Sequence, residues 1–139
     1  MHATSADQVL ESVPLFAGLS KRARRELAGL ATTIDVEAGR TFIEEGEAGR
    51  EFFVVLDGQA EIRSDGQVIA RRGPGEFFGE ISLLLDRPRT ASVTAVTRMT
   101  LDVIERKDFK RLLIDHPELY EPLLAAVAQR LAELEELHH

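Results

Sequence analysis

The sequence predicts a mainly β domain with flanking helices, built as an antiparallel jelly-roll-like β-roll of about eight strands. Eight of the ten glycines lie between Gly39 and Gly79, where glycine permits the tight turns that join short strands. The segments between these glycines are short and rich in Val, Ile and Phe, as strands are. The segments before residue 31 and after residue 106 carry apolar residues at helical spacing instead.

The first 30 residues are predicted to form the N-terminal helices. Asp7–Ser12 contains two apolar residues, and Pro14 ends this segment because proline cannot continue a helix. Ser20 is a favourable N-cap for a second helix, which runs to Leu30.

The β-roll is predicted over residues 31–106. Ala31–Glu37 alternates between polar and apolar residues, whereas Phe52–Leu56 is a continuous apolar run of strand length. The dipeptides Asp57-Gly58 and Asp65-Gly66 are typical of hairpin turns. The predicted strands are Ala31–Glu37, Thr41–Glu44, Phe52–Leu56, Ala60–Arg63, Gln67–Arg71, Ala91–Val96 and Met99–Glu105.

Two C-terminal helices are predicted over residues 107–137. Lys107–Asp115 has its apolar residues at helical spacing, and Pro117 starts a second helix that runs to about Leu137. This last helix carries an apolar seam with alternating spacings of four and three residues. Such a seam indicates a helix that packs on its own domain, and a homodimer through this helix is the second interpretation. The seam consists of Tyr120, Leu124, Val127, Leu131 and Leu134.

Length and composition exclude several classes of protein. The 139 residues suit a single domain, residues 1–139. A net charge of −7 argues against a nucleic-acid partner, because phosphate contacts need clustered positive charge. The absence of cysteine excludes disulfides and thiolate metal sites. No apolar run approaches the roughly 18 residues of a membrane span, and no signal-peptide pattern opens the chain, so we expect a cytoplasmic protein without membrane insertion.

Residues 75–93, which read GEFFGEISLLLDRPRTASV, indicate a site for a phosphorylated ligand. Gly79 allows the backbone to approach a ligand closely, and the helical turn after it offers free N–H groups to an anion. Arg89 on a following strand can hold a phosphate through two parallel hydrogen bonds. Glu80 would repel that phosphate unless it faces another group, such as a sugar hydroxyl. Phosphate, ribose and an apolar roll together suggest a nucleotide.

Phe78–Leu83 followed by Arg89–Val93 resembles the phosphate-binding cassette of cyclic nucleotide-binding domains. This family includes the bacterial catabolite activator protein and the regulatory subunits of the cAMP-dependent kinase. The predicted strands from Gly39 to Ile62 and the two C-terminal helices match the same family, so the resemblance covers nearly the whole chain. It implies a cyclic nucleotide sensor with no catalysis of its own, a short cassette helix after Gly79, and C-terminal helices that move to signal.

The resemblance also implies a role for each cassette residue. Arg89 would hold the charged oxygens of the cyclic phosphate, and Glu80 would accept a hydrogen bond from the ribose 2′-hydroxyl. The main-chain N–H groups of Gly79, Ile81 and Ser82 would line the ribose and phosphate.

Outside that group, the resemblance assigns contacts to the base and the lid. Thr90 would lie near the phosphate or the purine, and Ile62 and Ile69 would pack around the base. Arg130 and Leu134 would cover the pocket from the last helix. The expected ligand is cAMP. Because a threonine at the position of Thr90 is often associated with cGMP in this family, cGMP is the alternative ligand. Neither a cofactor nor a metal ion is expected.

Two charged features of the sequence are interpreted as surface. Arg87 lies two residues before Arg89, and the cassette pattern favours Arg89 as the phosphate ligand. The basic cluster at Lys21–Arg25 is interpreted as the solvated face of a helix.

Two alternatives belong to other functional classes. One is a structural or dimerisation module that keeps the roll without a ligand and works through the seam of its last helix. The other is a cupin-like metal enzyme, which would need histidine ligands on its strands. The placement of the four histidines disfavours this enzyme, because none lies within a predicted strand: His2, His116, His138 and His139.

Overall fold

The computed structural model describes residues 13–137, so the helix predicted at Asp7–Ser12 lies outside the described residues. The described part is mainly β with flanking helices, as predicted. The helices are α1 (Lys21–Leu30), α2 (Glu80–Leu85), α3 (Arg106–Asp115) and α4 (Tyr120–Leu137), with 3₁₀ turns at Pro14–Phe16 and Pro117–Leu119. The strands are β1 (Thr32–Val36), β2 (Thr41–Ile43), β3 (Glu51–Asp57), β4 (Ala60–Ser64), β5 (Gln67–Arg72), β6 (Phe77–Phe78), β7 (Ser92–Ala95) and β8 (Met99–Glu105).

The strands form two four-stranded antiparallel sheets. The first sheet has the order β1-β8-β3-β6, and the second has the order β2-β7-β4-β5. Within the second sheet, β4 pairs with both β5 and β7, with Ile62 opposite Val93. This pairing brings the segment that follows the cassette beside the central strand of the second sheet.

One of the two predicted hairpins is confirmed and the other is wrong. Asp65 and Gly66 both have positive φ, 51° and 76°, and they join the paired strands β4 and β5. Left-handed residues at both central positions match the right-handed twist of a hairpin. Gly58 also has positive φ, but it lies between β3 of the first sheet and β4 of the second. The chain therefore crosses between sheets at Asp57-Gly58 instead of folding back on its own strand.

The continuous apolar run of β3 is explained by burial on both faces of the first sheet. Phe52 and Val54 point into a core shared with the helices, and Phe53 and Val55 point into a core between the sheets. Successive side chains of a strand point to opposite faces, so a strand covered on both sides has no polar position.

The helical core packs on the outer face of the first sheet and connects the cassette to α3. Ser20 caps α1 by accepting a hydrogen bond from the amide of Ala23 at 3.1 Å. Leu84 of α2 packs against the cluster that contains Phe109 of α3. Leu85 is 43% exposed, so it is Leu84 that connects the cassette helix with this cluster.

The seam predicted for the last helix is wrong at its first two positions, Tyr120 and Leu124, and is buried or part-buried at the other three. Tyr120 and Leu124 are 40% and 53% exposed, whereas Leu123 and Val127 are buried in the described structure. The 3₁₀ turn before α4 buries Leu119, and this fixes the rotation of the helix that follows. Positions four and eight residues after Leu119 continue its buried face. The helix does pack on its own domain, with Leu123 in place of Leu124 and with the seam residue Val127 as predicted.

Candidate functional site

A cavity lies between the second sheet, α2 and α4. All ten residues that the sequence predicted for the site line it. The roll contributes the apolar side, α2 and the segment after it contribute the polar side, and α4 covers both. These ten residues are Ile62, Ile69, Gly79, Glu80, Ile81, Ser82, Arg89, Thr90, Arg130 and Leu134.

Arg89 is held in place by main-chain carbonyls. Its Nη2 donates to the oxygen of Glu51 at 2.8 Å, and its Nη1 donates to the oxygen of Gly79 at 3.3 Å. Its own main chain is fixed by two hydrogen bonds of 2.8 Å, to Glu47 and from Gly46. The guanidinium therefore has a defined position at the polar end of the cavity.

The charge of Arg89 is buried and lacks a carboxylate partner within the described part of the chain. The residue is 7% exposed, and none of the ion pairs found among residues 13–137 includes it. Burial lowers the pKa of Arg89, and the nearby carboxylates of Glu51 and Glu80 act in the opposite direction. A buried charge without a counter-ion is costly, so an anion in this cavity would be stabilised.

Two glycines let the polar side of the cavity close tightly around Arg89. Gly79 precedes α2 with a φ of 97°, and a Cβ there would lie 2.6 Å from the Nη1 of Arg89. A Cβ on Gly49 would lie 2.4 Å from the Cβ of Ser82 and 3.1 Å from the Cζ of Arg89. Gly49 is a supporting position that the sequence analysis did not single out.

Glu80 offers an unused acceptor inside the cavity. The residue is 1% exposed, and its Oε1 accepts a hydrogen bond of 2.5 Å from Nη1 of Arg130. Its Oε2 is buried and has no hydrogen-bond partner among the described residues. The Arg130 guanidinium also lies 4.3 Å above the ring of Phe77, which holds it against the roll. A ligand hydroxyl can therefore bind Glu80 without displacing Arg130.

The apolar side of the cavity is a surface of aliphatic side chains on the second sheet. Ile62 is buried and Ile69 is partly buried. Thr90 lies at the junction of the two sides, and its carbonyl accepts a hydrogen bond from the Ser64 hydroxyl at 3.2 Å. This aliphatic surface can pack against a flat ring of a ligand.

Six further lining residues were not predicted as site residues. Val93 follows from strand alternation after Ala91, and Glu133 follows from helical spacing, three residues after Arg130 on one face. Arg72 carries no comparable signal, because its approach to the cavity depends on how α4 docks. Arg87, by contrast, is exposed as expected. The six residues are Ile43, Arg72, Phe78, Ala91, Val93 and Glu133.

Residues 13–137 contain neither a cluster of metal-ligating side chains nor a helix suited to cross a membrane. No group of three or more His, Asp or Glu side chains in this range is arranged to hold a metal ion. None of the described helices combines the length and the apolar character that crossing a bilayer requires.

The amino-acid sequence of this chain matches one protein family. The family model described as the cyclic nucleotide-binding domain matches residues 33–116. The cAMP-dependent protein kinase regulatory subunit of Yarrowia lipolytica is 39% identical over 121 residues, which is 84% of this chain and 32% of the relative. The chain thus spans about a third of that relative's length.

Solved structures agree with the sequence match. The cAMP-bound structure named PfPKA-R is 31% identical with a TM-score of 0.89, over 95% of this chain and 46% of that one. The Thermus thermophilus catabolite activator protein is 32% identical with a TM-score of 0.78, over 90% of this chain and 62% of that one. Since the family model covers more than half of the sequence, the chain belongs to the cyclic nucleotide-binding domain family.

Proposed function

We propose that this chain is a cyclic nucleotide sensor that binds cAMP and has no catalytic activity of its own. One observation carries the proposal. A buried arginine without a carboxylate partner, Arg89, and a buried carboxylate oxygen without a hydrogen-bond partner, on Glu80, line the same cavity in the described structure. A cyclic nucleotide supplies what both groups lack, an anionic phosphate and a ribose hydroxyl.

The phosphate and ribose take the polar side of the cavity. The phosphate pairs with Arg89. It also accepts hydrogen bonds from main-chain N–H groups at the start of α2, those of Gly79, Ile81 and Ser82. The ribose 2′-hydroxyl donates to Oε2 of Glu80, while Oε1 keeps Arg130. Both roles are supported by the burial of these groups, because hydrogen bonds from charged side chains strengthen where water is excluded.

The base packs on Ile62 and Ile69, and Leu134 of α4 covers it. The cAMP-bound relative named PfPKA-R and the regulatory subunit from Yarrowia support adenine as the base. Thr90 lies where its hydroxyl can meet a purine substituent, so cGMP is the second nucleotide to test.

Ligand binding is signalled through the C-terminal helices. A nucleotide that contacts both α2 and α4 favours one position of α4, which is a population shift. Leu84 passes a change in α2 to the α3 core that contains Phe109. A partner protein or a second copy of the chain senses this movement.

A homodimer through α4 is a further part of the proposal. Tyr120 and Leu124 lie four residues apart on α4, and they remain 40% and 53% exposed after the helix has packed on its own domain. An apolar helical face of this kind pairs readily with a second copy of itself. A ligand-free module that only dimerises is the competing function, and this exposed face is the observation that favours it.

The remaining parts of the proposal concern the extent of the domain, its cellular location and its partners. We treat residues 1–139 as one domain that works in the cytoplasm without contacting nucleic acid, in keeping with the net charge of −7.

Calorimetric titration with cAMP and with cGMP tests the function directly. We expect saturable binding of cAMP near one equivalent per chain, with weaker binding of cGMP. Equal affinity for both would contradict the assignment of adenine. The absence of heat with either nucleotide, together with dimerisation that depends on concentration, would favour the ligand-free module.

A further inference from the structure

A second ion pair joins α4 to the roll, outside the cassette. Nη2 of Arg72, at the end of β5, lies 3.2 Å from Oε2 of Glu133 on α4. Nε of Arg72 lies 3.2 Å from Oε2 of Glu76, which belongs to the roll itself. The side chain of Arg72 is 14% exposed and that of Glu133 is 31% exposed, so the pair is partly shielded from water. Arg72 thus connects a carboxylate of the roll, that of Glu76, with a carboxylate of α4, that of Glu133.

The two links between α4 and the roll have opposite polarity. Arg130 of α4 is the cation toward Glu80, and Glu133 of α4 is the anion toward Arg72. Residues 130 and 133 are three apart, so they share one face of the helix. If α4 slid by about one turn, Glu133 would replace Arg130 opposite Glu80, and two carboxylates would face each other. Like charges in contact are strongly disfavoured, so the pattern fixes the register of α4.

The Arg72 link borders the cavity as the Arg130 link does, but it involves no residue proposed to hold the phosphate or the ribose. Glu80 belongs to the proposed nucleotide site, whereas the cassette groups proposed to hold the phosphate and ribose include neither Arg72 nor Glu133. Leu134 follows Glu133 directly and lines the cavity. Holding Glu133 therefore also holds Leu134 over the cavity, whether or not a nucleotide is present.

We propose that Arg72 is a positioning residue of the nucleotide site, which acts through Glu133 to keep α4 in register over the cavity. This inference rests on the proposed function, because it makes opening of the Arg72–Glu133 pair a step in nucleotide release. The ion pair stabilises the position of α4 over the cavity even when no nucleotide is bound.

The two carboxylates on Arg72 provide a matched pair of variants. Glu133→Gln removes the charge that crosses to α4, and Glu76→Gln removes the charge that stays within the roll. Both changes keep the shape of the side chain, and both original oxygens lie 3.2 Å from the same guanidinium. Only Glu133→Gln should affect the position of α4 over the cavity.

The first measurement is the dissociation rate of radiolabelled cAMP, chased with excess unlabelled cAMP. We expect Glu133→Gln to release cAMP about two- to fivefold faster, the range that an ion pair of this exposure accounts for. Glu76→Gln should leave the rate within about 1.5-fold of the wild type. The exchanged pair Arg72→Glu with Glu133→Arg should restore part of the slow release. Equal rates in Glu133→Gln and the wild type, or equal acceleration by both single variants, would overturn the inference.

The second measurement is hydrogen exchange of the α4 amides over residues 127–136, without any nucleotide. Glu133→Gln should speed exchange in this range, and Glu76→Gln should not. This measurement separates the two proposals. A wild type that binds no cAMP defeats the proposed function but leaves this test intact, whereas unchanged exchange in Glu133→Gln defeats the role of Arg72 even if cAMP binds.

Discussion

The guanidinium of Arg89 donates a hydrogen bond of 2.8 Å to the main-chain oxygen of Glu51, so a neutral group, and not a carboxylate, fixes its position. A carbonyl orients the side chain without neutralising it. The positive charge therefore remains available to a ligand in a place that water scarcely reaches. An acidic protein with a net charge of −7 can bind a small anion in this way, because the local charge at the cavity outweighs the average.

Replacing Arg89 should remove most of the affinity for cAMP. We expect Arg89→Ala to cost about 2–5 kcal/mol of binding free energy, since truncating one partner of a buried charge pair leaves the other unpaired. Arg89→Lys should also weaken binding, because a single ammonium cannot form the two parallel hydrogen bonds of a guanidinium. Calorimetric titration measures both effects.

Arg87→Ala is the matched control for Arg89→Ala. It removes the same charge two residues away, from a side chain that is exposed. Binding of cAMP by this variant should equal that of the wild type. If Arg87→Ala proves the more damaging change, the phosphate has been assigned to the wrong arginine.

Glu80→Gln should weaken cAMP binding by about 1 kcal/mol, less than Arg89→Ala. The amide has one oxygen, so it can accept from the ribose hydroxyl or from Arg130 but not from both, and a hydrogen bond to a neutral group is worth less than one to a charged group. Titration with 2′-deoxy-cAMP isolates the contact. The wild type should lose affinity for the deoxy ligand, and Glu80→Gln should discriminate less between the two nucleotides. Equal discrimination in both proteins would place the 2′-hydroxyl elsewhere.

Sequence could predict the cassette and most of the roll because their signals are local. A turn dipeptide with positive φ, such as Asp65-Gly66, depends on neighbouring atoms alone, and so does the motif that contains Gly79 and Glu80. All ten predicted site residues accordingly line one cavity. The prediction at Asp57-Gly58 was wrong because this dipeptide is compatible both with a hairpin and with a connection between two sheets. Pairing with distant strands decides between these.

The missed features that carry no local signal depend on docking between elements. Arg72 approaches the cavity only because α4 lies across β5, and nothing near Arg72 in the sequence specifies that contact. The phase of α4 likewise follows from how the 3₁₀ turn buries Leu119. Periodicity alone was compatible with the seam through Leu124 as well as with the buried face through Leu123.

Gly49→Ala should weaken both the fold and the site. The added Cβ would lie 2.4 Å from the Cβ of Ser82 and 3.1 Å from the Cζ of Arg89, so α2 and the guanidinium must both shift. Overpacking of this kind costs about 1–3 kcal/mol of unfolding free energy. Urea unfolding measures that loss, and titration with cAMP should show a parallel loss of affinity.

Gly29→Ala is the control for an added methyl group. Gly29 lies within α1, and a Cβ there would meet no atom within 4 Å. Because alanine favours helix over glycine by about 0.5–1 kcal/mol, this variant should be slightly more stable and should bind cAMP normally. A stable, fully active Gly49→Ala protein would show that the space around Arg89 is not limiting.

Neighbouring leucines of α4 should separate folding from association. Leu123 is buried in the helical core, and Leu123→Ala should cost about 2–5 kcal/mol of unfolding free energy, measured in urea. Leu124 is 53% exposed, so Leu124→Ala should change stability by less than about 0.5 kcal/mol in dilute protein.

The same two variants test the proposed homodimer by sedimentation velocity over a range of concentrations. Because the side chain of Leu124 faces outward, Leu124→Ala should shift the wild-type dimer toward monomer while leaving the fold intact. Leu123 contributes to the dimer only by keeping α4 folded, so among molecules that remain folded Leu123→Ala should associate like the wild type. A dimer that persists unchanged in Leu124→Ala would place the interface on another surface. The α4 face would then be exposed for a different partner.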